Sequence, residues 1–334
     1  MRNRIRIEDV AQIAGVSTAT VSRALSQPDR VRADTRELVQ RAVEKLGYVP
    51  DAAGRALASG RTRTVGCVIP TLDHAIFARS THALQNALAQ AGYQLLVASH
   101  NYDPVQELTL VQALQQRGVD ALVLVGAEHH TQLWRLLTDW RNPVLLTWAC
   151  DPRLPSVGFD NQAIAALATQ HLLELGHRRI GMISGHMQHN DRAKARVQGL
   201  RDTLALAGLK LDNAALSQQT LNISGGRLGL IELLKAKKPP TAIVCGNDLL
   251  ATGALLEAQR QGLSVPGDLS ICGIDNHELA AEMNPGLTTV SLPTHDLGRI
   301  AAAQILAALA GEPIAQQSML PFELLVRGTT AKPA

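Results

Sequence analysis

The spacing of apolar residues along the chain changes character twice. Ile7, Val10, Ala11 and Ala14 fall at i, i+3, i+4 and i+7, one face of a helix. Gly15-Val16-Ser17 interrupts that face, and Ser17 is placed to cap a second helix from Thr18 to Ser26. A third helix is expected from Asp34 or Thr35 to Leu46, with Gly47 as its stop. Three short helices in residues 1–49 make a small all-α bundle. Residues 50–63, PDAAGRALASGRTR, have little to bury and carry two glycines. They read as a linker with helical tendency around Ala52 to Ala58, too short to hold a helix alone in water.

From Thr64 the pattern alternates between short apolar runs and amphipathic stretches. Strands are predicted at 64–70, 93–99, 119–126, 143–149, 156–160, 178–185, 241–247 and 269–275. Helices are predicted at 76–91, 104–117, 130–139, 162–175, 192–207, 224–236 and 249–261. Near-continuous apolar strands separated by helices imply parallel sheets covered on both faces. There are too many strands for one sheet of common size. Residues 64–334 are therefore expected to form two doubly wound α/β lobes, behind an all-α head. In such lobes ligands bind beyond the carboxyl ends of the strands, which places a crevice between two facing lobes.

Composition adds a charge asymmetry. The chain of 334 residues has a net charge of +3. Residues 1–63 hold 12 Arg and Lys against 7 acids, so the head and linker are +5 and the remainder −2. A basic head on a slightly acidic body suits a polyanion contact made by the head. No apolar run long enough for a membrane span is present, and Met1 to Asp9 has no signal-peptide core, so a cytoplasmic protein is expected. Cys67, Cys150, Cys245 and Cys272 are far apart in strand-like runs, as free buried thiols would be. No cofactor or catalytic residue is implied, and His186 and His189 lack a third ligand for a metal.

The first two helices, joined by a three-residue turn containing Gly15, fit a helix-turn-helix. Val21, Ala24 and Leu25 can face the bundle, leaving Thr18, Ala19, Ser22 and Arg23 outward. Small residues at the start of this helix let it sink into the major groove, where base edges differ. Arg23 suits a guanine or a phosphate; Ser22 and Thr20 suit phosphates. Beyond the spacing, Ile7-Glu8-Asp9-Val10-Ala11, Ala14-Gly15-Val16-Ser17 and Ala19-Thr20-Val21-Ser22-Arg23-Ala24-Leu25 resemble the signature of the lactose/purine repressor (LacI-type) family. The likeness continues through Leu46-Gly47-Tyr48-Val49-Pro50 and across almost the whole body.

That resemblance implies a repressor of transcription that binds near-palindromic operator DNA as a homodimer, under control of a small effector. The linker resembles the family's hinge helix, and Leu57 matches its minor-groove wedge. As a packing residue of the linker, Leu57 would serve no such role. Asp51 departs from the family's usual polar neutral residue, and Gly54 costs a short helix roughly 0.8–1 kcal/mol. Residues near Ile76 to Leu88 are implied as dimer contacts, and no leucine heptad follows Arg327-Gly328-Thr329-Thr330 to build a tetramer.

The body resembles the family's effector domain, which is similar to periplasmic sugar-binding proteins. Polar residues stand at predicted strand ends: Asp73 and His74, Asp160 and Asn161, Asn247 and Asp248, Asp275 and Asn276. Carboxylates and amides there can anchor adjacent hydroxyl groups. Arg196, Asp275 and Asn247 match the family's effector-binding residues, while Phe77 and Trp148 offer either faces for a sugar ring or core packing. Asp160 and Asp248 are equally placed to cap helices. The stretch Val157 to Asn161 resembles the branch that answers to gluconate and other sugar acids, and Arg192, Lys194, Arg196 and His186 are near enough in sequence to serve a carboxylate. A neutral sugar would use the same Arg and Asp.

Two other classes fit the sequence less well. An α/β enzyme is opposed by the lack of GxGxxG opening a helix, GxxxxGK[ST], GxSxG and HExxH. A sugar-binding protein without a regulatory role is opposed by the basic head.

Overall fold

The computed structural model describes residues 5–26, 28–49, 54 and 60–334. Most of the hinge reading, Leu57 and Asp51 included, lies outside the described residues. The chain divides into two compact units, Met1–Arg63 and Thr64–Ala334.

The head consists of α1 (Ile7–Ala14), α2 (Thr18–Ser26) and α3 (Ala33–Leu46), with a 3-10 turn at Pro28–Arg30. Gly15 closes α1 in the left-handed region at φ 68°, and Gly47 closes α3 at φ 63°, conformations that cost a side chain and suit glycine. The Ser17 hydroxyl accepts from the Thr20 N–H at 3.1 Å, so it does cap α2. The third helix begins earlier than the sequence suggests, at Ala33, after Arg32, which makes no side-chain cap bond. Asp34 lies instead in the first turn, where a carboxylate meets the positive end of the helix dipole. Val10, Val21 and Val39 are fully buried and Ala11, Ala14, Ala24 and Ala42 pack with them. This is a core of small side chains, with little apolar area to hold the unit.

The body contains two sheets. The first runs β2 (Gln94–Ser99), β1 (Thr64–Ile69), β3 (Ala121–Val125), β4 (Val144–Trp148), β5 (Ser156–Gly158) and β11 (Gln317–Met319), all parallel. The second runs β7 (Leu216–Gln219), β6 (Ile180–Gly185), β8 (Ala242–Cys245), β9 (Ser270–Asp275), β10 (Thr288–Ser291) and β12 (Glu323–Leu325). Only β12 is antiparallel to its neighbour. Central strands are buried along their whole length, as sheets covered on both faces require.

Helices α4 (Ala75–Gln90), α5 (Pro104–Gln116), α6 (Thr131–Thr138) and α12 (Thr294–Ala310) cover the first sheet. Helices α7 (Asn161–Glu174), α8 (Asp191–Leu206), α9 (Ile223–Leu234) and α10 (Asp248–Arg260) cover the second, with a short α11 at Leu279–Glu282. The chain passes between lobes three times: from β5 into α7, from β10 into α12, and from β11 into β12. One cluster of buried residues, including Leu88, Leu145, Leu200 and Ile274, runs through both lobes.

The predicted strands and helices from 64 to 275 all form, within about two residues at most ends. The sequence reading assigned no element to β7, α11, β10, α12, β11 or β12. The short strands are the harder case. Thr288 and Thr289 in β10 are completely buried although polar, because the sheet, not an apolar pattern, encloses them.

Candidate functional site

On the head, the face of α2 away from the core presents Thr18, Ala19, Ser22 and Arg23, all exposed. Val21 and Ala24 are buried beneath, and Leu25 packs beside them. Thr20 differs: it is half-buried, and its hydroxyl lies 2.9 Å from that of Ser17. It is tied into the start of the helix more than it is offered to a phosphate.

In the body, a cleft lies between the carboxyl ends of the two sheets. The first lobe contributes His74, Ile76, Phe77, Tyr102 and Trp148; the second contributes Ser184, Asn190, Arg192, Arg196, Leu221, Asn247 and Asp275, among others. Six of the seven ligand residues expected from sequence therefore meet here: His74, Phe77, Trp148, Arg196, Asn247 and Asp275.

Asp160 does not. It is exposed and caps α7, its carboxylate accepting from the Ala163 N–H at 2.9 Å. The neighbouring Asn161 takes the inward role. Its amide donates to the Trp148 carbonyl at 3.0 Å, and its oxygen accepts from Arg196 Nε at 3.0 Å. One residue thus links the aromatic wall of the first lobe to the guanidinium of the second.

The wall is built by contact among rings. Phe77 meets Trp148 edge-on at 5.0 Å, His74 stacks on Phe77 at 6.2 Å, and Phe159 backs Trp148 at 5.9 Å. Trp148 takes a left-handed conformation, φ 71°, at the end of β4. A bulky residue pays for that only where its surroundings hold it, and such positions gather at ligand sites.

Arg196 is buried in α8. Its Nη1 donates to the Gly246 carbonyl at 2.6 Å and stands 3.9 Å from Asp275 Oδ1. Burial pushes the Arg196 guanidinium down and the Asp275 carboxyl well up, while each opposes the other's shift by its charge. Asp275 and Asn276 leave β9 with φ 118° and 53°. The buried Asp248 holds that turn: it accepts from the His277 N–H at 2.7 Å and from the Thr289 hydroxyl at 2.6 Å. Asp248 is thus a support under Asp275 and not part of the lining. Asn247 caps α10, accepting from the Leu250 N–H at 2.9 Å.

The polar lining residues that the sequence does not mark are Tyr102, Ser184 and Asn190, whereas Asn161 is one of its strand-end candidates and acts from behind the lining. Arg192 lines the cleft, as its carboxylate reading required, but Lys194 is paired with Glu128 at 2.6 Å, and His186 is not in the lining. Tyr102 had no sequence signal. It sits in a β2–α5 turn where Asn101 and Tyr102 both have positive φ, a geometry no pattern of apolar residues reports.

A helical head with an exposed second helix, and a two-lobed body with a cleft at strand ends, define a class: a DNA-binding unit joined to a small-molecule receptor. Residues 6–51 match the model for bacterial regulatory proteins of the lacI family, and residues 169–330 match a periplasmic binding protein-like domain. The chain is 33% identical over 329 residues to the HTH-type transcriptional repressor CytR of Escherichia coli (strain K12), covering 97% of this chain and 96% of that protein. Its structure is similar to a lac repressor dimer bound to operator and the anti-inducer ONPF, with a TM-score of 0.89 and 25% identity over 98% of this chain and 100% of that one. It is also similar to a complex of the transcriptional regulator CelR with cellobiose, at TM-score 0.72 and 29% identity, covering 98% of this chain and 100% of that one. The chain belongs to the lacI family of bacterial regulatory proteins. It is a DNA-binding transcriptional repressor under ligand control, and not an enzyme.

Proposed function

We propose that the effector is a small polyhydroxylated molecule, a sugar or sugar acid, held in the cleft between the lobes. The observation that carries this reading is the Arg196 and Asp275 pair, buried opposite the wall of Phe77 and Trp148. A carboxylate accepts from two adjacent hydroxyls, a guanidinium donates to ring or hydroxyl oxygens, and an aromatic face covers C–H groups. His74 and Asn247 complete the rim. A carboxylate on the ligand would be met by Arg192. The similar structure of CelR in complex with cellobiose supports a sugar-like ligand by likeness of fold.

On this reading residues 1–49 are the operator reader, 50–63 the hinge and 64–334 the effector and dimerisation domain. Thr18, Ala19, Ser22 and Arg23 face DNA, Thr20 secures the start of their helix through Ser17, and Leu57 is the wedge at the operator centre. Two subunits pair about a two-fold axis, matching a near-palindromic operator in the cytoplasm. The exposed side of α4 and the edge strand β2, where Leu96 and Val97 are open, form the contact in the first lobe. Ligand shifts the population between lobe arrangements and so changes how the two heads fit their half-sites.

A thermal-shift screen of sugars, sugar acids and purines, followed by operator binding with each compound that raises the melting temperature, tests the reading. A sugar or sugar acid that stabilises the protein and alters operator affinity is expected. Stabilisation by purines alone would reject it.

A further inference from the structure

We propose that the effector carries an anionic group, a carboxylate or a phosphate, which seats across the cleft between Tyr102 of the first lobe and Arg192 of the second. The inference rests on the reading that the cleft is the effector site, and it narrows the ligand to an acidic polyol.

The ionisable side chains that line the cleft are His74, Tyr102, Arg192, Arg196 and Asp275. Two are guanidiniums and one is a carboxylate. Burial pushes the Asp275 carboxyl up, and it pushes His74 down towards the neutral imidazole. Arg192 is buried too, and one amino group donates to Asp191 Oδ1 at 2.6 Å. The other oxygen of that carboxylate accepts from the Ala127 N–H at 2.8 Å. Asp191 lies outside the lining and steadies Arg192 from behind. Tyr102 lines the same cleft from the first lobe, near enough that the guanidinium opposes the rise that burial gives its phenol. A phenol that keeps its proton and a guanidinium, brought together from opposite lobes, form a pair of donors for one anion.

Backbone electrostatics act in the same direction. The N-cap residues of three long helices line the cleft: His74 before α4, Asn190 before α8 and Asn247 before α10. Asn190 and Asn247 cap their helices with side-chain oxygens, but His74 makes no such bond to α4. Helix starts carry partial positive charge and favour an anion. An independent sign that the site is built for a ligand is Ser184. It is 1% exposed and lines the cleft, and its Oγ has no hydrogen-bond partner. A buried hydroxyl without a partner is unfavourable, and a bound ligand would supply that partner.

Calorimetry on the full-length protein tests the proposal with two matched sets: D-gluconate, D-glucose 6-phosphate and D-glucose; D-ribonate, D-ribose 5-phosphate and D-ribose. In at least one set an acidic member should bind at least tenfold tighter than its neutral partner. The carboxylate and phosphate arms decide which anion it is. Arg192→Gln should erase the preference, and Arg192→Lys should retain most of it. Tyr102→Phe removes only a hydroxyl and is the check if Arg192→Gln folds poorly; it should reduce the preference severalfold. A neutral sugar binding as tightly as its acidic partners, or a preference that survives Arg192→Gln and Tyr102→Phe, overturns the proposal and leaves the polyol reading standing. Binding by none of the six overturns both.

Discussion

The Arg196 guanidinium stops 3.9 Å from the Asp275 carboxylate because its nearer amino group is already bonded to the Gly246 carbonyl at 2.6 Å. The two charges stabilise one another without closing a hydrogen bond, so the oxygens of Asp275 stay free to accept from a ligand. Asp275→Asn keeps the shape and removes the charge. It should lower effector affinity about 10- to 100-fold, the worth of one or two hydrogen bonds to a charged group. Operator affinity without ligand should not change. Calorimetry and a gel shift on the same preparation check both, and unaltered ligand binding would remove Asp275 from the site.

Arg23 is the one cation on the exposed face of α2. Arg23→Ala should weaken operator binding while leaving the melting shift with ligand intact. If the side chain reads a base, the loss is about 1–3 kcal/mol and depends on one operator position. If it holds a phosphate, the loss is uniform across sequences and the salt dependence falls by about one ion. Equal operator affinity would refute both roles.

Ser17→Ala should destabilise the head by about 1 kcal/mol, since the hydroxyl caps α2 through the Thr20 N–H. With so small a core beneath, the loss should appear in the unfolding of a fragment of residues 1–49 followed by circular dichroism. A melting curve identical to the parent would show that the cap contributes nothing.

The Asp248 carboxyl is pushed up from 3.8 to about 7, chiefly by burial, with the Thr289 and His277 donors pulling the other way. Folding thus favours its protonated form. Its contribution to stability is present below about pH 4 and is lost as the pH rises towards 7. Denaturation at pH 5 and pH 8 should show a smaller fall in stability for Asp248→Asn than for the parent. The fall should not vanish, because Asp275 is shifted in the same sense. An unchanged pH slope would contradict the assignment.

Helices α9 and α10 cross at glycines. A methyl group on Gly253 would strike the Ile223 carbonyl, and one on Gly226 would strike that of Leu250. Both obstacles are backbone, so they cannot swing aside. Gly253→Ala should cost about 1–3 kcal/mol by overpacking. A melting temperature equal to the parent would show that the helices separate without penalty.

Much of this architecture is legible in the chain because local physics decides it. The cap at Ser17, the stops at Gly15 and Gly47 and the strand ends carrying Asn247 and Asp275 all follow from short-range preferences. What was not legible depends on distant partners. Asp160 and Asn161 are adjacent polar residues at one strand end, and spacing alone cannot say which turns inward. The aspartate takes the helix cap, and the amide takes the inside because it can donate to Trp148 and accept from Arg196 at once. Tyr102 reaches the cleft through two left-handed residues, and Ser184 is a hydroxyl in a buried strand. Neither position has a composition that marks it. The motif marks the head, and apolar alternation marks the body except where β10, β11 and β12 are short and rich in polar residues.

The central claim is that the cleft in the body governs the grip of the head on DNA. Fluorescence anisotropy of a labelled operator duplex, titrated with full-length protein at fixed salt, measures it directly. The titration is run with and without the compound that most raises the parent's melting temperature, on the parent and on Asp275→Asn. The account predicts a shift in operator affinity of about 5- to 150-fold for the parent, as a coupling of 1–3 kcal/mol requires, and none for Asp275→Asn. Superimposable parent titrations at saturating ligand would contradict it.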